Sequence, residues 1–292
     1  MRRWRLWLLM APALLWLAAI FLAPMLHYAW LSTQAQTVLT GLQSRPIGAE
    51  QWLRLWNDAR FWQDTWQTLR FSAASVGLEM VLGLAIALLL HQPLRGRGTL
   101  RTLSLLPWAL PTTVMALGWR WIFNDPYGPI NQALNRLGLA SLPFLSDPAI
   151  TWLAAVWADT WKTTPFVALL LLAGLQNIPA DLYAAAALEG ASAWQSLRRI
   201  TLPLLTPYLL IALLFRLAQA LGVFDLIQVL TGGGPAGSPE RLALYAYLNA
   251  MRFLDFGYSA TLMLGSFALL LLVAGLAALV FRCNRLGAEG LR

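Results

Sequence analysis

Five ionisable side chains, Glu79, Arg120, Asp159, Lys162 and Arg216, fall within long apolar runs. A charge there is costly unless it pairs, reaches the headgroup region or faces a watery path. Asp159 and Lys162 are three residues apart, which places them on one face of a helix, either as an internal ion pair or as the lining of a polar path. Arg216 and Gln219 have the same spacing and are the stronger path candidates. Glu79 is expected to pair inside a bundle and Arg120, near the end of its run, to snorkel. No catalytic or metal-ligating set is legible: His27 and His91 lie at opposite ends of apolar runs, and no nucleophilic triad is formed. Cys283 is the only cysteine, so no intrachain disulfide can form. A nucleotide-cradling loop needs glycines leading into Gly-Lys-Ser/Thr. The one lysine, Lys162, follows Trp161, and Gly232, Gly233 and Gly234 precede Pro235, so that run reads as a turn.

Composition dictates what must carry these side chains. Hydrophobic residues make up 59% of the chain and charged residues 12%, with a mean hydropathy of +0.60. No single soluble core could enclose that much apolar surface. The formal charge of +8 sits in short segments between apolar runs and not along a stripe. With no zinc-ligand spacing or RNA-binding signature, nucleic acid is excluded as a partner. Six runs reach the roughly 20 residues a helix needs to cross a bilayer: Trp7–Trp30, Leu69–Leu90, Thr102–Phe123, Ile150–Leu175, Leu202–Phe224 and Gly257–Phe281. They lack the alternation of barrel strands, so the expected fold is all-α, a polytopic membrane protein with six transmembrane helices. The first run follows Arg2, Arg3 and Arg5 but exceeds the roughly 7–15 residues of a signal core, so residues 1–30 are expected to be an uncleaved anchor.

Six crossings place both termini on one side. With the termini inside, the inner segments hold eleven arginines and the outer loops seven, in nearly twice the length. Both termini are therefore expected to be cytoplasmic. Residues 31–68 then form an extracytoplasmic segment in which Trp52–Trp66 reads as an amphipathic helix on the membrane surface, or a contact for a partner, and residues 282–292 form a cytoplasmic tail. Residues 177–203 become the longest inner loop.

That loop contains LYAAAALEGASAWQSLRRITLP, Leu182 to Pro203. Pro179 and Asp181 can start a helix, the alanine run propagates it, Gly190 permits a break, and Pro203 is tolerated in the first turn of the next span. A helix, a bend and a second helix are expected. Periodicity alone allows an ordinary interfacial connector. The spacing of Gly190, Ile200, Leu202 and Pro203, however, resembles the cytoplasmic loop of permeases in binding-protein-dependent ABC importers. Glu189 stands at the family's acidic position, and Ala184, Ala185 and Ala186 stand where the family has Glu-Ala-Ala, so the initial glutamate is absent. DPYGPINQALNRLG (Asp125–Gly138), WKTTPFVALLLLAGLQNIPADLY (Trp161–Tyr183) and the stretch from Val223 to Ala260 resemble the carbohydrate-type members.

The resemblance implies a permease domain over residues 69–281, with a coupling helix between the fourth and fifth spans that docks into an ATPase. It implies a second homologous permease, a pair of cytoplasmic ABC ATPase domains holding ATP and Mg, and an extracytoplasmic solute-binding protein. No cofactor is expected on this chain, and it is not expected to be an enzyme. The implied function is import of a disaccharide, oligosaccharide or polyol glycoside across the bacterial inner membrane by alternating access. An ion-coupled secondary transporter is the alternative, though no inverted pair of broken helices is visible. Most of the fifteen tryptophans sit near interfaces, as aromatic belts do. Trp119, Trp157 and Trp161 remain path candidates, as do Phe224 and Asp225 at the outer end of the fifth span.

Overall fold

The computed structural model describes residues 3–232 and 241–289. Its helices are α1 (Arg3–Leu31), α2 (Glu50–Asn57), α3 (Ala59–His91), α4 (Arg97–Ser104), α5 (Leu106–Ala109), α6 (Thr112–Ile122), α7 (Pro129–Arg136), α8 (Pro148–Gln176), α9 (Ala180–Leu188), α10 (Ala193–Ser196), α11 (Leu202–Leu221), α12 (Asp225–Thr231), α13 (Leu242–Met251) and α14 (Phe256–Glu289). Four helices are long and apolar enough to cross a membrane, or five if the bent pair α8–α9 counts as one. The chain divides into two compact units, residues 1–65 with 242–269, and residues 66–241 with 270–292.

In the first unit, a two-residue antiparallel ladder pairs Gln34 with Pro46 and Ala35 with Arg45. The same unit has a core of Leu55, Phe61, Leu242, Tyr245, Tyr258 and Leu262. The expected single helix Trp52–Trp66 is interrupted: α2 stops at Asn57 and α3 starts at Ala59. Asp58 occupies the break because its carboxylate accepts the Arg60 N–H at 2.9 Å, capping the new helix. It also accepts the Tyr245 hydroxyl at 2.7 Å and the Tyr258 hydroxyl. Burial pushes the Asp58 carboxyl upward, but the Tyr258 and Tyr245 hydroxyls together with the Arg60 and Phe61 backbone N–H groups outweigh it and hold the group below its ordinary value. Arg54 pairs with Asp255 at 2.7 Å.

In the second unit, Ala87 and Leu90 of α3, Val167, Leu171 and Leu175 of α8, and Leu205 and Ala212 of α11 form one apolar core. Two glycines permit close approach. A Cβ on Gly83 would lie 2.6 Å from Val167 Cγ1, and one on Gly174 would lie 2.6 Å from Tyr208 Cγ. The expected span Thr102–Phe123 is not one helix; it divides into α4, α5 and α6. Pro107 lies in the first turn of α5, and Pro111, extended at ψ 135, precedes α6, because proline lacks the N–H that a continuous helix requires. Asp125 organises the segment that follows, accepting the Phe144 and Leu145 N–H groups at 2.8 and 2.9 Å and the Ser146 hydroxyl at 2.6 Å. Gly232 ends α12 in the left-handed conformation, φ 64. The rest of the expected Gly232–Gly234 turn, Gly233 and Gly234, and the end of the expected tail, residues 290–292, lie outside the described residues.

Candidate functional site

Three helices of the second unit bring the buried charges together. Ser75 and Glu79 are one turn apart on α3, Asp159 and Thr163 one turn apart on α8, and Arg216 and Gln219 lie on α11. Arg216 is 1% exposed and Glu79 0%, so neither charge has water to stabilise it and both require partners. Arg216 Nε donates to Glu79 Oε2. Its Nη2 donates to Glu79 Oε1 at 2.8 Å and to Asp159 Oδ2 at 3.1 Å, and its Nη1 to Gln219 Oε1 at 2.7 Å. The bidentate engagement of Glu79 is the geometry a planar guanidinium favours. Ser75 Oγ lies 2.9 Å from Glu79 Oε1 and 2.5 Å from Asp159 Oδ2, and Thr163 Oγ1 lies 2.6 Å from Glu79 Oε1. Each hydroxyl has one proton, so each donates to one acceptor at a time.

This geometry corrects the expected Asp159–Lys162 pair. Asp159 joins Arg216 on another helix, and Lys162 Nζ donates to the Leu110 carbonyl at 2.6 Å. That carbonyl is free of a helical partner because the chain is extended at Leu110, ahead of Pro111. Glu79 pairs within the bundle as expected. Arg120 reaches the Val229 carbonyl at 3.4 Å.

A cavity of about 510 Å³ lies beside the cluster. Six of the residues singled out from sequence line it: Asp159, Lys162, Arg216, Gln219, Phe224 and Asp225. Trp119, Trp157 and Trp161 do not. Trp119 stacks on Phe123 and meets Trp161 edge-on, and Trp157 is 57% exposed. In their place Trp108 supplies the cavity's aromatic wall, with Thr112 and Thr163. In a straight span over Thr102–Phe123, Trp108 would sit near one end, in the interfacial belt that accounts for most of the tryptophans. The break at Pro107 and Pro111 is what turns this segment. The i, i+4 pairs Ser75/Glu79 and Asp159/Thr163 were a signal in the sequence for the two hydroxyls.

The loop after α8 has the expected helix, bend and helix. α8 and α9 are bent by 71° across Asn177–Pro179. Asn177 fixes the turn, donating to the Ala173 carbonyl at 3.0 Å and to the Tyr208 hydroxyl at 2.7 Å. α9 carries Ala184, Ala185 and Ala186 and is closed, just past its end at Leu188, by Gly190, φ 79, whose N–H bonds Ala187 O while the Ala191 N–H bonds Ala186 O. That left-handed closure is the reason for glycine. Ser192 and Gln195 then cap α10 reciprocally. One π-helical turn, Leu197–Thr201, containing Ile200, leads into α11 with Leu202 first and Pro203 second. Tyr183 and Thr201 hydroxyls meet at 2.9 Å, tying α9 to that turn. Ala184, Ala185, Glu189 and Gly190 are exposed, Leu188 is 92% exposed, and a notch of about 290 Å³ is lined by Ala186, Glu189, Gly190 and Ile200.

Residues 79–286, which take in Glu79, Asp159 and Arg216, the cavity and the loop, match the family described as binding-protein-dependent transport system inner membrane component. The chain belongs to this family. As an inner membrane component it is 42% identical, over 91% of its own length and 89% of the relative's, to the trehalose/maltose transport system permease protein MalF of Thermococcus litoralis. It is 36% identical to the sulfoquinovosyl glycerol transport system permease protein SmoG of Agrobacterium fabrum, over 96% and 94%. A solved bacterial ABC transporter involved in import of the polysaccharide alginate superimposes with a TM-score of 0.82 over 96% of each chain at 23% identity, which establishes a common fold. This inner membrane component is thus a multi-pass permease of an ABC importer.

Proposed function

We propose that this permease imports a sugar through the cavity beside Arg216 and receives its driving force through α9 and α10. The helix, left-handed glycine and second helix over Ala180–Ser196 carry this reading. They present an exposed, small-residue surface at the junction of α8 and α11, the two helices that hold Asp159 and Arg216. A partner that moves this loop therefore moves the walls of the cavity. Six crossings with both termini cytoplasmic fit the arginine distribution, with α4, α5 and α6 serving as one broken span. The partners are a second permease, a solute-binding protein on the outside, and a pair of ATPase domains that hold ATP and Mg and close against α9 and α10. Closure opens the cavity outward to receive sugar, and hydrolysis resets it inward.

The lining suits a hydroxyl-rich ligand. Arg216 is matched by Glu79 and Asp159 and offers little free positive charge, and Lys162 on the same wall is engaged by the Leu110 carbonyl. Trp108 and Phe224 can cover the apolar faces of a pyranose, while Thr112, Gln219 and Asp225 can bond its hydroxyls. The permease relatives named for trehalose/maltose support this class.

The experiment is to reconstitute the permeases with their ATPase in vesicles and compare wild type with Gly190→Asp. The variant is expected to insert normally but to lose ATPase association or the coupling of hydrolysis to uptake. Normal association with normal coupled uptake would overturn the assignment. Uptake that persists without the ATPase would point instead to ion coupling.

A further inference from the structure

Between α9 and α11 the backbone offers a compliant route for force. It passes Gly190, at φ 79, then the single turn of α10 and the π-helical turn Leu197–Thr201. Glycine is the residue whose backbone rotates most freely, and a Cβ at Gly190 would meet nothing within 4 Å, so packing does not brace it. The π turn is wider than an α turn, with the Leu202 N–H bonding the Leu197 carbonyl five residues back. A push on α9 carried by the backbone alone is absorbed at residue 190 before it reaches α11.

A side-chain contact bypasses that route. The Tyr183 and Thr201 hydroxyls meet at 2.9 Å across 18 residues of sequence, and the closed loop contains Gly190, α10 and the π turn. Thr201 is 4% exposed and Tyr183 is half-buried, while Ala184, Ala185 and Glu189 are exposed. The outer face of α9 is thus open and its inner face is tied. Thr201 Oγ1 also lies 3.4 Å from the Ser196 carbonyl; with its one proton given there, it accepts from Tyr183. The other tie at this corner, from Asn177 to the Tyr208 hydroxyl at 2.7 Å, joins the end of α8 to α11 and does not involve α9.

We propose that Tyr183 and Thr201 are the positioning pair through which displacement of α9 becomes displacement of α11, the helix that carries Arg216 and Gln219. Neither residue lines the cavity. The pair acts by fixing the angle between α9 and the start of α11 when α9 is pushed. The inference rests on the reading of Ala180–Ser196 as the surface that receives the ATPase.

The test uses the assembled transporter with its ATPase and binding protein in sealed vesicles. The single cysteine is removed by Cys283→Ser, and Thr112→Cys places a thiol in the cavity wall. An impermeant maleimide added outside then reads outward opening whatever the sugar. A non-hydrolysable ATP analogue enclosed in the vesicles is expected to speed labelling in this parent. Tyr183→Phe keeps the ring and Thr201→Val keeps the shape. Each is expected to co-purify with the ATPase, to unfold near the parent's temperature, and to lose at least about threefold of the acceleration, the scale of one hydrogen bond. The double variant is expected to lose no more than either single one, because the two groups share one contact. Thr201→Ser, which keeps the hydroxyl, is expected to respond like the parent.

A normal response in Tyr183→Phe or Thr201→Val, additive losses in the double variant, or a Thr201→Ser response as weak as that of Thr201→Val would overturn the inference. So would a loss of response matched by loss of folded transporter, the mark of a contact that only stabilises. Gly190→Asp in the same parent separates this inference from the reading beneath it. An unresponsive Gly190→Asp beside a fully responsive Tyr183→Phe would overturn the inference alone. A parent indifferent to nucleotide, or a fully responsive Gly190→Asp, would remove the docking reading and the inference with it.

Discussion

At Arg216 each guanidinium nitrogen has a partner inside the chain, whereas a Cβ added at Gly190 would meet nothing within 4 Å. Both positions belong to the same pair of helices and the loop between them. Near the cavity, the constraint on residue type is internal: two carboxylates and a guanidinium, all buried, satisfy one another. At the loop, the chain asks little of the side chains beyond a left-handed glycine and small size, so the constraint lies with whatever docks there. Substitutions in the cluster should therefore damage stability first, and substitutions in the loop should damage coupling while stability is kept.

The strongest challenge to that contrast is Arg216→Ala. It strands Glu79 and Asp159 without a counter-charge, and breaking a buried pair in this way costs on the order of 3–5 kcal/mol. The yield of folded, monodisperse permease and its unfolding temperature are expected to fall sharply. A residue that only lined a path would instead lose uptake and still assemble. Gln219→Ala, which removes one neutral acceptor, separates the roles: it is expected to assemble and to lower the uptake rate. If Arg216→Ala unfolds at the wild-type temperature, the cluster is not a structural unit.

Gly174→Val is next. Its new Cβ falls 2.6 Å from Tyr208 Cγ and 2.7 Å from Leu205 Cδ1, and overpacking of this kind costs about 1–3 kcal/mol. Thermal unfolding should register it, and Tyr208→Ala in the same chain should recover part of the loss.

Gly190→Ala sharpens the other side of the comparison. The open surroundings leave only the left-handed φ as a penalty, roughly 1–2 kcal/mol. The unfolding temperature should drop slightly, while coupled uptake falls by a larger factor than that loss can explain. Equal proportional losses in stability and uptake would make the loop a connector.

The smallest effect is expected from Ala184→Glu, which places the family's usual acid on an exposed position of α9. Exposed substitutions of this kind usually change stability by about 0.5 kcal/mol or less. ATPase co-purification should be unchanged or stronger, and a measurable loss would place Ala184 against an acidic surface of the partner.

Sequence alone determined the membrane class, four of the six apolar spans, or five with the bent pair α8–α9 counted as one, and the course of the Ala180–Thr201 loop. These rest on local properties: hydropathy summed over about 20 residues, an alanine run, and a glycine at the only kind of position where a left-handed residue closes a helix. It also selected Asp159, Lys162, Arg216, Gln219, Phe224 and Asp225, which share one cavity, because a charge in an apolar run must have a reason to be there. Tertiary structure decided their partners. Helical spacing set Asp159 beside Lys162, but burial makes the attraction to Arg216 across two helices stronger than that to a partly hydrated lysine, which reaches the Leu110 carbonyl instead. Trp108 belonged to the cavity only once Pro107 and Pro111 had broken the third span. Whether a broken segment turns toward a polar cluster or into lipid depends on which helices surround it, and spacing along one chain holds no record of that.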